Sequence, residues 1–336
     1  MPPPQAATIY TVAEAAGVSI ASVSRVMQGS SVVSETTRAK VLDAAARLNY
    51  LPLGAARSLA VGHHEAHGLV LPALQGPYYS ELLMGFESRA AELGQSVVLA
   101  LADPRRDIEQ TVRSLASRIE GLAVHGSVQL RASIVAGLST VKPLVVIAGS
   151  AGPGVDVIGA ENTDSARDLT AHLMGHGRRR LLFLGRPDAV DVRDRYEGFA
   201  RAHAERGSVA AEPVSVGLEE ADGLRFAEQL LAGEHAADGL VCANDELALA
   251  VMDHLVRSGV RVPDDIAVVG WDDVMAARYV RPALTTVRQP VREIGELAAT
   301  RLHERVTQGA APMDPVVLPT ELVIRSSCGC FDGATS

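Results

Sequence analysis

From about residue 68 onward, short apolar runs alternate with stretches whose apolar residues recur every three or four positions. The runs GLVLP (68–72), SVVLAL (96–101), GLAVH (121–125), PLVVIA (143–148), RLLFLG (180–185), GLVCA (239–243) and IAVVG (266–270) predict strands. Between them, YYSELLMGFESRAAELG, DIEQTVRSLASRI and NDELALAVMDHLVRSG carry helical spacing. Such alternation predicts an α/β fold with parallel sheets and helices on both faces. Ligands of these sheets bind outside the carboxyl ends of the strands. The side chains that follow the apolar runs are therefore the candidates for chemistry.

The first fifty residues follow a different rhythm. In VAEAAGVSIASVSRVM (12–27), Val12, Ala16, Val18, Val23 and Val26 fit two short helices over one small core. Gly17 sits between them, where a tight turn favours a residue without Cβ. Ala13 is small enough for a close crossing, and Ser19 can cap the second helix. Ser22 and Ser24 are short, so that helix could lie flush in a DNA groove and donate to phosphates. A third helix is expected over SETTRAKVLDAAARL (34–48), capped by Ser34, with a stripe through Val41, Leu42, Ala45 and Leu48.

Net charge is −9, which by itself argues against a polyanionic partner. It is unevenly spread, however. Residues 1–62 hold five basic and three acidic side chains, a balance of +2 that leaves −11 for the rest. A mildly basic head on an acidic body is expected if only the head touches nucleic acid. Three cysteines cannot build a disulfide framework, which suits a reducing cytoplasm. The start MPPPQAATIY lacks the basic and apolar regions of a signal peptide, and no apolar run is long enough to span a bilayer.

The segment TIYTVAEAAGVSIASVSRVMQGSSVVSETTRAKVLDAAARLNYLPLGAARSL resembles the headpiece of the LacI/GalR family of bacterial transcription regulators along its whole length. The resemblance implies a helix-turn-helix domain (1–51), a hinge helix and linker (52–67) and a two-lobed core (68–330). It places Ile20 and Ala21 at the main base-reading positions and Arg25 as the long reader. Ser19, Ser22, Ser24, Gln28, Val32, Tyr50 and Ala56 are further DNA-facing positions, and Leu59 is a wedge for the minor groove. Arg25 can bond guanine bidentately, while Ile20 and Ala21 suit apolar contact with a thymine methyl. A leucine driven between base steps bends the duplex. Family hinges often carry a polar residue at the place of Leu53 and a basic one at Ala60. Together with Gly54, these departures imply a hinge that folds only when paired on DNA. GHHEAH (62–67) reads as a solvated tether rather than a metal site.

The later segments resemble the family's effector-binding core, itself similar to periplasmic sugar-binding proteins, and GWDDVMAARYVRPALTTVRQP is the most diagnostic part. The match implies two α/β lobes joined by crossovers near 160, 290 and 320, with a ligand in the cleft. It implies Arg195 as an anchoring fork and Asp272 and Asn244 as partners for hydroxyls or ring nitrogens. Tyr78, Tyr79 and Trp271 would stack on the ligand, with Glu161 and Gln289 also at the site. Asp245 could equally be a helix cap, and Tyr79 could equally be core. Many relatives are acidic where this chain has Ala148 and have aspartate at the place of Glu161. Some purine-responsive ones close the pocket with an aromatic near Leu218, which is absent here, although the ARYVRPALTT run resembles the purine and nucleoside branch. The ligand is expected to be a sugar first, a nucleoside or purine second.

No G-x-S-x-G, P-loop, H-E-x-x-H or well-formed dinucleotide fingerprint is present, so no enzyme and no cofactor is expected. The CGC at 328–330 reads as a feature of the tail, with no metal assigned. A periplasmic-type sugar receptor is the alternative, but it would need a signal sequence and would have no use for residues 1–60. The expectation is a cytoplasmic homodimer on a near-palindromic operator, most often a repressor, controlled by a small metabolite.

Overall fold

A computed structural model describes residues 7–27, 30, 32–50, 65–103, 105–150 and 152–330. The chain divides into two compact units, Met1–His64 and Glu65–Ser336. Gln28, Leu53, Gly54, Ala56, Leu59 and Ala60, all raised by the sequence, lie outside the described residues.

The first unit holds α1 (Ile9–Ala16), α2 (Ile20–Met27) and α3 (Glu35–Arg47). Thr8 opens α1 with a capping box, and Gly17 closes it in the left-handed region at φ 63°. Ser19 Oγ accepts the N–H of Ser22 at 3.1 Å, and Ser34 Oγ that of Thr37 at 3.3 Å. Val12, Val23, Val26, Val41 and Ala44 form the core, with Ala13 and Ala45 beside them. Two members of the expected stripe depart from it: Leu42 is 50% exposed and Leu48 38%. Helical geometry favours the positions 41, 44 and 45, so Leu42 points about 100° away from the buried face.

In the second unit the chain runs β1 (Ala66–Leu71), α4 (Gly76–Glu92), β2 (Ser96–Leu101), α5 (Ile108–Ala116), β3 (Gly121–His125), α6 (Ala132–Ser139), β4 (Leu144–Ile147) and β5 (Val155–Ala160). It then leaves that lobe. α7 (Thr163–Gly175), β6 (Leu181–Leu184), α8 (Val190–Glu205), α9 (Glu220–Leu231), β7 (Gly239–Cys242), α10 (Asp245–Arg257), β8 (Ala267–Val269), α11 (Ala276–Tyr279) and β9 (Thr286–Arg288) make a second lobe. α12 (Val291–Gln308) and β10 (Val316–Leu318) return to the first, and β11 (Glu321–Val323) pairs antiparallel with β9 in the second. The first sheet has the order β10-β5-β4-β3-β1-β2, with every neighbour parallel. The second is parallel β6-β7-β8. Apolar clusters cover both faces of each sheet.

Seven strands lie where the apolar runs are, but β5, β9, β10 and β11 do not announce themselves. The last three are only three residues long. β5 hides a charge: Asp156 is fully buried and accepts from Arg301 Nε at 3.0 Å, Arg305 Nη1 at 2.7 Å and Met313 N at 2.8 Å. Those three hydrogen bonds tie α12 and the segment after it to the sheet. The expected tether also ends sooner. Ala66 and His67 pair with Ser96 and Val97, and His67 is fully buried strand rather than solvated linker.

α4 and α12 approach closely through glycines. A Cβ on Gly295 would lie 2.4 Å from the Leu82 carbonyl oxygen, and one on Gly85 2.1 Å from that of Arg292. Gly137 in α6 has open space instead. Gly295→Ala should therefore lose about 1–3 kcal/mol by overpacking. Gly137→Ala should be neutral or gain up to about 1 kcal/mol from helix propensity. Urea unfolding of both variants checks this contrast, which fails if the two shift alike.

Candidate functional site

The carboxyl ends of both sheets face one cavity of about 640 Å³. The first lobe supplies Tyr78 and Tyr79 from the start of α4 and His125 from the end of β3. The second supplies Asp191 and Arg195 from α8, with Asn244 after β7 and Asp272 after β8; Gln289 follows β9. Of the residues expected at the ligand, Tyr78, Tyr79, Arg195, Asn244, Asp272 and Gln289 line this cavity. Glu161 and Trp271 do not.

Arg195 is only 4% exposed. Its Nε donates to Asn162 Oδ1 at 2.8 Å, Nη1 to the Ala243 carbonyl at 2.5 Å and Nη2 to Asp191 at 3.3 Å. Trp271 lies beneath it, with the guanidinium carbon 4.6 Å from the ring centroid. The tryptophan is 1% exposed, so it stacks on the arginine and not on a ligand. The sequence shows an aromatic after a strand but not the side of the loop to which it turns. Glu161 is likewise re-assigned. Its carboxylate accepts the N–H groups of Asp164 and Ser165 and so caps α7, which a glutamate reaches as well as an aspartate.

Asn244 has two duties. Its Oδ1 caps α10 through the Leu247 N–H at 3.0 Å, while Nδ2 donates to the Leu218 carbonyl at 3.1 Å. Asp245 is not the cap. It is buried and accepts from Thr286 Oγ1 at 2.6 Å and Val274 N at 2.9 Å. Burial pushes its carboxyl up to about 6 against those bonds.

Neighbouring Asp272 and Asp273 sit at φ 122° and 55° and meet opposite fates. Asp273 is buried, which alone would raise it, but bonds from Arg325 and Arg288 hold its carboxyl below the usual range. Burial pushes Asp272 up to about 8, and the attraction of Arg195 only partly offsets this. Gln289 Nε2 donates to Asp272 Oδ1 at 2.6 Å.

His125 and Asp191 escaped the sequence reading, although each carried a signal. His125 ends a strand run, and Asp191 stands one helical turn before Arg195. Burial lowers His125 to about 4, so its ring is neutral near pH 7. The Ser127 N–H points at Nδ1 at 3.2 Å, which makes Nδ1 the acceptor and puts the ring proton on Nε2. Nε2 lies 3.3 Å from Tyr78 Oη and donates to it, leaving the phenol O–H free to donate into the cavity.

In the first unit, α2 presents Ile20, Ala21 and Arg25 to solvent, with Ser19 at its cap and Ser22 and Ser24 partly covered. Val32 is 81% exposed, whereas Tyr50 packs partly against the core. The outer face of α2 thus combines one long cation with small and apolar side chains.

A three-helix reader and a two-lobed core with a polar cleft define a class: DNA-binding regulators with a small-molecule pocket. Residues 8–52 match the bacterial regulatory proteins of the lacI family, and residues 170–328 match a periplasmic binding protein-like domain. The HTH-type transcriptional repressor PurR of Haemophilus influenzae (strain PittEE) is 32% identical over 333 residues, 96% of this chain and 98% of that one. PurR of Pasteurella multocida (strain Pm70) is 31% identical over 335 residues, with the same coverage. The lac repressor dimer bound to operator and the anti-inducer ONPF has TM-score 0.85 at 30% identity, covering 96% of this chain and 99% of that one. The CelR–cellobiose complex has TM-score 0.70 at 27% identity over 96% and 99%. The chain belongs to the LacI/GalR family and is a DNA-binding transcriptional repressor, not an enzyme. The receptor alternative is overturned by the match over residues 8–52 and by repressors related along the whole length. Among the described residues, no helix is long and apolar enough to cross a membrane.

The raised carboxyl of Asp272 has a consequence for stability. The folded chain holds a proton there that the unfolded chain releases near the ordinary aspartate range. Stability is therefore lost as pH rises from about 4 towards about 8. Asp272→Asn removes that loss. Its melting temperature should exceed the parent's at pH 8, with the difference shrinking towards pH 5. A constant difference across that range counts against a protonated Asp272.

Proposed function

We propose that the chain acts as a cytoplasmic homodimer whose operator affinity is set by a neutral, hydroxyl-rich metabolite, a sugar in first place. The balance of charge in the cleft carries this reading. Asp191, Glu219, Asp222 and Glu246 face it as carboxylates, against Arg186 and Arg195, with Asp272 protonated beside them. An anionic ligand would meet more negative than positive side chains, whereas sugar hydroxyls donate well to carboxylates. Tyr78 and Tyr79, rings at 5.2 Å and perpendicular, offer an apolar wall for one face of a ring. The cavity is of the size that encloses a small metabolite, and the cellobiose complex of CelR is consistent with a saccharide. The PurR relatives and the ARYVRPALTT run favour the second reading, a nucleoside or purine.

Ile20, Ala21 and Arg25 read base edges on the proposed interface, with Ser19, Ser22, Ser24, Val32 and Tyr50 around them. Gln28, Ala56 and Leu59 belong to the same proposal, on the resemblance alone. Edge strand β2 leaves Val98 and Leu101 part-exposed, and Met275 and Tyr279 are 71% and 73% exposed in the second lobe. Apolar surface of this kind in each lobe supports pairing with a second copy.

A thermal-shift screen of sugars, nucleosides and free bases tests the ligand. A bound sugar at a hundred times its Kd should stabilise by about 2.7 kcal/mol; stabilisation by bases or nucleosides alone replaces the first reading with the second. Arg25→Ala should lose about 1–3 kcal/mol of discrimination at one base pair. Selectivity unchanged across an operator library removes Arg25 as a reader. Arg195→Ala should keep operator binding but lose the response to ligand, and a normal dose–response would take Arg195 out of the pocket.

A further inference from the structure

The CGC near the C-terminus has no partner in the sequence, but the fold supplies two. His172 in the last turn of α7 and His176 at its C-cap, four residues apart and so on one side, have ring centroids 4.7 Å apart. After β11 the chain brings Cys328 and Cys330 against those rings. His172 Nε2 lies 3.3 Å from Cys328 Sγ and 3.6 Å from Cys330 Sγ, and His176 Nε2 lies 3.2 Å from Cys330 Sγ. One ligand atom from each of the four lies within 4.8 Å of every other. A tetrahedral zinc, with bonds of about 2.3 Å to sulfur and about 2.05 Å to nitrogen, would set N···S separations near ~3.5 Å.

We propose that His172, His176, Cys328 and Cys330 form an N2S2 site for zinc, which pins the C-terminal segment to α7. Two thiolates and two imidazoles favour zinc over the hard cations magnesium and calcium, which prefer oxygen. All four positions are filled by protein, the arrangement of a structural site rather than a catalytic one. The paired histidines have the spacing of a helical metal-binding pair, whereas Cys-x-Cys is one residue shorter than the usual zinc hook. Gly329 permits this at φ 111°, and a Cβ there would lie 3.4 Å from His176 Nδ1. Thr285 Oγ1 donates to Cys328 Sγ at 3.1 Å, the outer-shell support that metal thiolates usually have. Cys328 is buried, but Cys330 is part-exposed and His176 exposed, so an ion can reach the cluster. The same segment holds Ser327, which accepts from Thr285 N at 2.9 Å, and Arg325, which pairs with Asp273 next to Asp272. A pin at residues 328–330 therefore backs the floor of the cleft.

The test uses the full-length, untagged chain, purified reduced and desalted. One zinc per chain is expected by elemental analysis. Chelation should lower the melting temperature and added zinc should restore it. Cobalt(II) in its place should give the strong visible bands of a tetrahedral thiolate site. Cys330→Ser and His176→Gln, both at accessible positions, should each reduce zinc retention at least tenfold while leaving the far-ultraviolet circular dichroism unchanged. Cys328→Ser should do the same if it folds. Zinc content at background, zinc retained equally by Cys330→Ser and His176→Gln, or a Cys328–Cys330 disulfide with a melting temperature indifferent to zinc would each overturn the proposal.

Discussion

The cleft is organised around one positive charge held almost out of water. Removing a guanidinium from solvent costs several kcal/mol unless its donors are met. Arg195 meets that demand with parts of four separate elements: Asn162 ahead of α7, the Ala243 carbonyl after β7, Asp191 one turn back in α8, and the face of Trp271 after β8. Only a planar fork can satisfy those directions at once, so lysine would not substitute. Asn162 also stands where the chain first passes from one lobe to the other. The mouth of the second lobe is thus positioned by one side chain, and a ligand meets donors already fixed in place.

That arrangement governs the two aspartates nearby. Asp273 has arginines of its own, Arg288 Nε at 2.8 Å and Arg325, and stays ionised. Asp272 must share Arg195, whose donors are engaged elsewhere, and burial prevails. Adjacent residues of one type therefore play different parts. One is a strut that ties β9 to the C-terminal segment. The other is a group in the cleft whose charge depends on what binds.

The sequence shows most of the frame because apolar runs are a strong signal when both faces of a sheet are covered. It shows where a functional residue stands more readily than where that residue points. Trp271 and Asp272 are neighbours after the same strand, yet one lies under Arg195 and the other opens to the cavity. Glu161 and Asn244 illustrate a second ambiguity: a polar residue between strand and helix can cap the helix, face a ligand, or do both. Short strands such as β9 and β11 carry too few residues to show a period. The His–Cys cluster brings together residues 156 apart in the chain, which no local pattern can join. Gly17 and Ser19 were legible because a turn and a cap are local demands.

A ligand can move a two-state repressor only by its difference in affinity for the two states. Shifting the balance from 1:99 to 99:1 takes about 5.5 kcal/mol. Hydrogen bonds to charged groups contribute about 1.5–3 kcal/mol each, so two or three formed in one state alone are enough. Asp272, once ionised, is placed to accept bonds of that kind, and Tyr78, with its phenol proton free, adds a neutral bond from the opposite lobe. Asp272 adds a condition. Because it is protonated in the empty cleft near neutral pH, a ligand that donates to its carboxylate must first displace a proton. Part of the binding energy is then spent on ionising the acid, and that part shrinks as pH rises. A ligand that instead accepts from the protonated carboxyl meets no such cost near neutrality. The two kinds of ligand are therefore separated by the pH dependence of their affinity, through one side chain that Arg195 leaves only partly compensated.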